Sequence, residues 1–128
     1  RKEFDIKQPV YYAEFKVEEL LRLVMENKIR FNEIPKFPEV RRDLALLLDK
    51  GIPYSEVEKI AFETERHLLK KVNLFDVYEG KNIEAGKKSY AVSFILQDEE
   101  KTLTDKVIDK VMNKLIGAYT TRLEATIR

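Results

Sequence analysis

The sequence carries a carboxylate and a phenol at a spacing that would let both contact one ligand. Asp76 and Tyr78 stand two residues apart in the stretch LFDVYEG, and Ser89 follows after a basic, glycine-marked loop. Side chains alternate between the two faces of a sheet, so Asp76 and Tyr78 are predicted to share one face. A phenol ring stacks on planar ligands, and carboxylate and hydroxyl oxygens bond to their polar edges. Proteins recognise unpaired RNA bases in this way.

Small residues accompany Ser89 on its strand, whereas bulky residues occupy the alternate positions. We expect the bulky row to pack under helices and the small, polar row to form an open face that a planar ligand can approach. The predicted apolar rows are Phe75 and Val77; Tyr90, Val92, Phe94 and Leu96; and Leu123, Ala125 and Ile127. The predicted open rows are Leu74, Asp76 and Tyr78; Ser89, Ala91, Ser93, Ile95 and Gln97; and Glu124, Thr126 and Arg128.

Hydrophobic periodicity predicts a βαββαβ order for the elements that position these residues. Ser55 and Glu58 form a capping box, which predicts a helix start, and apolar residues at helical spacing follow it. The predicted fold is α+β and ferredoxin-like, with an antiparallel four-stranded sheet and two helices on one face. In chain order the elements are a strand at 41–49, a helix from Ser55 whose apolar stripe extends to Leu68 and Val72, two strands within 74–96, a helix capped by Thr104 and Asp105, and a strand at 123–128.

The beginning of the chain has a different pattern. Residues 9–17, PVYYAEFKV, are rich in β-branched and aromatic residues and predict a strand, and residues 18–27 have apolar residues at helical spacing. Two prolines then discourage regular structure. We expect 1–35 to be the end of a preceding module with its linker helix, and 36–128 to form the domain. Because the chain starts inside a strand-like pattern, we expect it to be a piece of a longer protein.

Composition excludes several classes of function. The 128 residues have a formal net charge of +1, so any RNA binding must come from a local surface rather than a global field. The chain contains no cysteine and one histidine, which excludes thiolate nucleophiles, disulfides and Cys- or His-rich zinc sites. No apolar run approaches the roughly 20 residues of a membrane span. The absence of cysteine is compatible with a reducing cytosol.

Basic residues at predicted strand ends and in the hairpin loop are candidates for phosphate contacts. Alternatively they are plain solvated charges, and a polar sheet face is common in antiparallel sheets that bind no ligand. The candidates are Arg41, Arg42 and Arg128 at strand ends and Lys81, Lys87 and Lys88 in the loop, whose Gly80 and Gly86 we expect to serve the turn.

Four stretches resemble the ferredoxin-fold anticodon-binding domain that ends the β subunit of bacterial phenylalanyl-tRNA synthetase. They occur in the family order and cover about residues 36–128: FPEVRRDLALLL, LFDVYEGKNIEAGKKSYAVSFIL, KTLTD and RLEATIR. Each piece alone is a weak signal, but the set is specific. The family also ends single-chain organellar synthetases, yet DIKQPVYYAEFKVEELL looks more like the end of the inactive, catalytic-like module of the bacterial β subunit. The resemblance implies a C-terminal fragment of that subunit.

The resemblance also implies roles for matching residues. Asp76 and Tyr78 in LFDVY, and Ser89 in KKSYA, would face the anticodon loop of tRNA(Phe). Arg42 and Asp43 match a family pair that either contacts RNA or forms a structural ion pair at the strand end. The predicted RNA-binding residues are Asp76, Tyr78, Ser89, Arg41, Arg42 and Arg128.

For the parent enzyme, the resemblance implies attachment of phenylalanine to its tRNA with ATP and Mg²⁺. The active site would lie on an α subunit within a heterotetramer in the cytoplasm. The fragment itself is expected to have no catalytic residue, cofactor or metal.

Two other classes share parts of this pattern. Acylphosphatases have the same βαββαβ order, but they use an arginine with backbone amides between the first strand and first helix, where this chain has DKGIPY. A regulatory ferredoxin-like module would instead use the open face to pair with a partner protein. Salt-dependent binding of an anticodon stem-loop distinguishes RNA recognition from such a module.

Overall fold

The computed structural model describes residues 9–25, 28, 31 and 33–128. The chain divides into two compact units, Arg1–Glu33 and Ile34–Arg128. In the first unit, helix α1 comprises Val17–Met25, while the predicted end of this helix at Asn27 lies outside the described residues. The strand predicted over 9–17 is wrong, because residues 9–16 are irregular and Val17 begins the helix. Strand-like composition is insufficient here, since a strand is stable only when its backbone bonds to a neighbour.

The second unit has the predicted βαββαβ order, and the α+β, ferredoxin-like fold is confirmed. Its four strands form one sheet in the order β2-β3-β1-β4, and every neighbouring pair is antiparallel. Two helices cover one face of this sheet. The elements are β1 (Val40–Asp49), α2 (Tyr54–Thr64), β2 (Leu69–Tyr78), β3 (Lys87–Leu96), α3 (Asp105–Leu123) and β4 (Thr126–Ile127).

The core lies between the sheet and the two helices α2 and α3. Phe94 on β3 is fully buried, and its ring centroid lies 6.2 Å from that of Tyr119 on α3. The Tyr119 hydroxyl donates a hydrogen bond of 3.0 Å to the carbonyl oxygen of Val57 on α2. Burial raises the pKa of Tyr119, so the phenol stays neutral and keeps its proton for this bond. This hydrogen bond links α2 to α3 on the sheet face that carries Phe94.

Tertiary pairing moves several predicted boundaries. Helix α2 begins at Tyr54 with Pro53 as its N-cap and no side-chain cap, so the predicted capping box is wrong. It also ends before Leu68, because the Glu65 carboxylate accepts hydrogen bonds from the next backbone N–H groups and turns the chain into β2. Strand β2 starts at Leu69, which pairs with Leu96 at the far end of β3.

The end of the chain also differs from the prediction. Helix α3 extends to Leu123, and the last strand is only Thr126–Ile127. Glu124 closes the helix in the left-handed conformation with φ 51°. The buried side chain of Ala125 then brings the chain back to the edge of β1.

Candidate nucleic-acid interface

Strand β2 contains a β-bulge that decides which of its side chains face away from the helices. The pairing register passes from Leu74 opposite Val92 directly to Asp76 opposite Ala91, so Phe75 has no partner. Upstream of the bulge, Leu74 and Val92 lie on the helical face, which is the sheet face covered by α2 and α3. Leu74 packs there against the core. An unpaired residue shifts the phase of the side-chain alternation by one position.

We define the open face as the sheet face opposite α2 and α3. Asp76 and Tyr78 both lie on it, because they pair with Ala91 and Ser89, which alternate with the buried Val92 and Phe94. The predicted sharing of one face by these side chains is confirmed. The predictions for Leu74 and Phe75 are wrong: Leu74 faces the helices, and Phe75 is 54% exposed outside the core. Strict alternation cannot show a bulge.

Small side chains form the floor of the open face. Ala45 on β1 pairs with Ala91 on β3, and Ser89 pairs with both Leu47 and Tyr78. Ser89 is on the predicted side of the sheet, but it is only 6% exposed, so it belongs to the floor and does not project into water. Tyr78, in contrast, is 40% exposed. The small side chains of Ala45, Ser89 and Ala91 let a flat ligand approach the backbone of this part of the sheet.

Arg128 and Tyr78 approach each other above this floor. They come from opposite edges of the sheet, since β2 and β4 are its outer strands. The guanidinium carbon of Arg128 lies 5.8 Å from the centroid of the Tyr78 ring, which is cation–π geometry. Arg128 is anchored by its backbone N–H, which donates to the Ala45 carbonyl oxygen at 2.9 Å. A cation and an aromatic ring therefore flank the small-residue floor.

Gly80 fixes where the Tyr78 ring can lie. A Cβ atom added to Gly80 would stand 2.6 Å from Cζ and 3.2 Å from Cε1 of Tyr78. The Tyr78 ring therefore rests against the backbone of residue 80. A turn role for Gly80, as predicted from the sequence, does not explain this contact. Gly80 also begins a turn, since its carbonyl oxygen accepts a hydrogen bond of 3.1 Å from the Ile83 N–H. Gly86, with φ 87°, adopts the left-handed conformation that favours glycine, and its carbonyl oxygen accepts a hydrogen bond from the Lys50 N–H.

A second arginine on the open face is held by an acid. Arg41 Nε donates to Asp43 Oδ1 at 2.9 Å, and Arg41 Nη2 donates to Asp43 Oδ2 at 3.2 Å. This bidentate bond raises the pKa of Arg41 above its ordinary value. The guanidinium carbon lies 5.3 Å from the ring centroid of Phe75. The sequence analysis placed Phe75 under the helices, and only the bulge turns its ring onto this face.

Arg42 lies on the helical face, apart from the other predicted RNA-binding residues. It pairs with Phe94, and its Nη2 lies 3.7 Å from Oδ1 of Asp105 at the start of α3. The predicted alternative of an ion pair between Arg42 and Asp43 is wrong, because consecutive strand residues point to opposite faces. The ion pair at this strand end joins Arg41 to Asp43 instead.

The hairpin lysines do not form a common cluster on the open face. Lys88 is buried on the helical face with its ammonium nitrogen 4.5 Å from the Tyr90 ring centroid. Lys87 pairs with Glu84 at 3.2 Å, and Lys81 is exposed in the loop. Among the predicted cations, Arg41 and Arg128 therefore provide positive charge on the open face, and the exposed Lys71, which pairs with Ile95 on that face, adds a further one.

The described part of the chain has neither a cluster of metal-binding side chains nor a membrane-spanning helix. Within it, no group of three or more His, Asp or Glu side chains is arranged to hold a metal ion. Among its helices, none has the length and apolarity needed to cross a membrane.

These features define a ferredoxin-like domain whose open sheet face carries paired arginines and aromatic rings over a floor of small residues. Residues 35–128 match the family model of the ferredoxin-fold anticodon binding domain. The chain belongs to this family, and the family resemblance predicted from the sequence is confirmed.

Curated relatives with the name phenylalanine–tRNA ligase beta subunit match nearly the whole chain. The protein from Bacteroides thetaiotaomicron is 60% identical over 127 residues, which cover 99% of this chain and 16% of that protein. The protein from Porphyromonas gingivalis is 50% identical with the same coverage. The protein from Clostridium acetobutylicum is 37% identical over 125 residues, with 98% and 16% covered. The chain therefore spans 16% of the length of these relatives.

Proposed function

We propose that the open face binds unpaired bases in the anticodon loop of tRNA(Phe). The observation that carries this proposal is the approach of Tyr78 and Arg128 above a floor of small residues. A base stacks on the Tyr78 ring, and the guanidinium of Arg128, which lies 5.8 Å from the ring centroid without RNA, moves outward to cover the other side of that base. Small floor residues let the base approach the sheet closely, which a row of Val or Ile would prevent.

Asp76 and Ser89 give this stacking position a preference among bases. Asp76 is an exposed carboxylate beside Tyr78 on the same face, and an ionised carboxylate only accepts hydrogen bonds. It therefore favours a base whose edge presents N–H donors. The Ser89 hydroxyl can donate or accept from the floor. We leave Arg42 out of the proposed surface, because its guanidinium lies near Asp105 on the other face.

For the parent protein, we propose a phenylalanine–tRNA ligase β subunit that acts with an α subunit in a cytoplasmic heterotetramer. The names and identities of the relatives support this assignment. Residues 36–128 would dock the anticodon, and 1–35 would end a preceding module and link to it. The parent enzyme would use ATP and Mg²⁺ away from this domain to attach phenylalanine. A distant docking surface can choose one tRNA because splayed bases expose distinct edges.

A titration with the anticodon stem-loop of tRNA(Phe) tests the proposal. We expect binding that weakens as salt rises, with a slope of about 0.7 in log K per log salt for each phosphate contacted. The control is the same stem-loop with its anticodon bases replaced, which should bind more weakly. Equal affinity for both RNAs would contradict recognition of the anticodon bases, and no binding of either RNA would argue for a protein-interaction module instead.

The acylphosphatase alternative is disfavoured by the loop between β1 and α2. There the Asp49 carboxylate accepts a hydrogen bond of 2.7 Å from the Gly51 N–H. A negative charge thus occupies the turn in which an acylphosphatase binds a phosphate anion. An assay of acyl phosphate cleavage is expected to show no turnover.

Replacing Gly80 with alanine is expected to weaken stem-loop binding without unfolding the domain. The new methyl group would displace the Tyr78 ring from its place, and the loss should be smaller than the roughly 1–3 kcal/mol of a whole stacking contact. Anisotropy titrations and thermal melts measure the two effects. Gly117→Ala is the matched control, since no atom lies within 4 Å of its new Cβ. Equal RNA affinity of both variants would show that Gly80 does not position the ring.

A further inference from the structure

We propose that Phe75 and Arg41 form a second base-stacking position on the open face. This inference rests on the proposed function of the Tyr78 position and extends it to a second unpaired base of the same RNA loop. Nothing in the sequence motifs assigns such a role to Phe75.

The β-bulge places the Phe75 ring in solvent. Phe75 has no partner on β3, and 54% of its surface is exposed although it stands in a central stretch of β2. Without the bulge, residues 75 and 76 would point to opposite faces. With it, the ring and the Asp76 carboxylate both belong to the open face. A phenylalanine ring that does not pack in the core is available for a ligand.

Arg41 is oriented for stacking by its bidentate bond to Asp43. Two bonds of 2.9 and 3.2 Å fix the plane of the guanidinium, whose carbon lies 5.3 Å from the Phe75 ring centroid. The same combination of arginine and ring occurs at Arg128 and Tyr78. Guanidinium planes and aromatic rings are the two kinds of group on which proteins stack unpaired bases.

The two positions are spaced for two bases of one strand. Phe75 and Tyr78 are three residues apart, which is at most about 10 Å along an extended strand. Four-stranded sheets of RNA-recognition domains stack two or three bases on spaced aromatic rings in this manner. Asn73, opposite Ser93 on the same face, could offer an amide to the edge of the second base.

Paired variants of the 128-residue chain test this inference. We expect Phe75→Ala to weaken binding of the tRNA(Phe) anticodon stem-loop about 5- to 150-fold. The control Phe62→Ala removes another exposed ring, on α2, and should leave affinity unchanged. Arg41→Ala should also weaken binding, whereas its neighbour Arg42→Ala, on the helical face, should not.

RNA variants then identify the base that each ring contacts. The probe is the same stem-loop with one abasic nucleotide, moved through the loop position by position. At one position the abasic RNA should lose affinity for the parent chain but show no further loss with Phe75→Ala. For Tyr78→Ala, the corresponding position should be a different nucleotide.

The outcomes separate this inference from the proposed function. If Tyr78→Ala weakens binding and Phe75→Ala does not, the second position is wrong and the proposed function stands. If one abasic nucleotide abolishes the effect of both variants, a single base is bound and the second position is again wrong. If neither variant changes affinity, both proposals fail. Thermal melts report folding, and Phe75→Leu, which retains an apolar side chain without the ring, replaces Phe75→Ala if that variant unfolds.

Discussion

Replacing Phe94 with alanine is expected to lower the free energy of unfolding by about 3–5 kcal/mol, as for other buried phenylalanines. Phe94 is fully buried on the central strand β3, against Tyr119 of α3. The missing ring would leave a cavity between the sheet and both helices, and little of that rigid layer can collapse to fill it. Equilibrium denaturation in urea measures the loss.

Phe62→Ala provides the comparison for Phe94→Ala. Phe62 lies on α2 and is 36% exposed, so the same substitution there should cost much less. Similar midpoints for Phe94→Ala and the parent chain would show that β3 does not turn Phe94 toward the helices. The assignment of the open face would then fail as well, since it is defined as the side opposite this row.

Replacing Tyr78 with alanine is expected to weaken RNA binding by about 1–3 kcal/mol, the usual contribution of one base stacked on an aromatic ring. The fold should be retained, because Tyr78 is 40% exposed near the end of an edge strand and is not part of the core. Titration with transcribed tRNA(Phe) and with its anticodon stem-loop measures the change. Tyr78→Phe keeps the ring and should retain most of the affinity.

Tyr11→Ala is the control for Tyr78→Ala. Tyr11 is 92% exposed and lies in the first unit of the chain, so its loss tests whether any exposed tyrosine contributes. Unchanged affinity of Tyr78→Ala, or an equal loss in Tyr11→Ala, would remove the stacking role. A loss in Tyr78→Phe as large as in Tyr78→Ala would assign the affinity to the hydroxyl group.

The sequence determined the features that depend on local periodicity. The alternation of Tyr90, Val92, Phe94 and Leu96 with small residues is complete within one strand, and the structure shows the same two faces on β3. The βαββαβ order was predictable for the same reason. Motif order then sufficed to recognise the family, which the family model confirms for residues 35–128.

Only the tertiary structure decided the pairing register between β2 and β3. The bulge after Leu74 exchanges the predicted faces of Leu74 and Phe75 while leaving Asp76 and Tyr78 as predicted. Its presence depends on pairing with β3, because the unpaired residue exists only relative to a partner strand. The period of one strand carries no information about such a register shift.

The pairings of the arginines were decided in the same way. Arg128 reaches Tyr78 across the two central strands, and Arg42 lies near Asp105 on α3, both far away in the sequence. A strand pattern predicts that neighbouring arginines point to opposite faces of the sheet. It does not predict which face the helices cover or which side chains each arginine contacts. Those contacts follow from the packing of the whole sheet, since long-range partners meet only after the strands and helices have assembled.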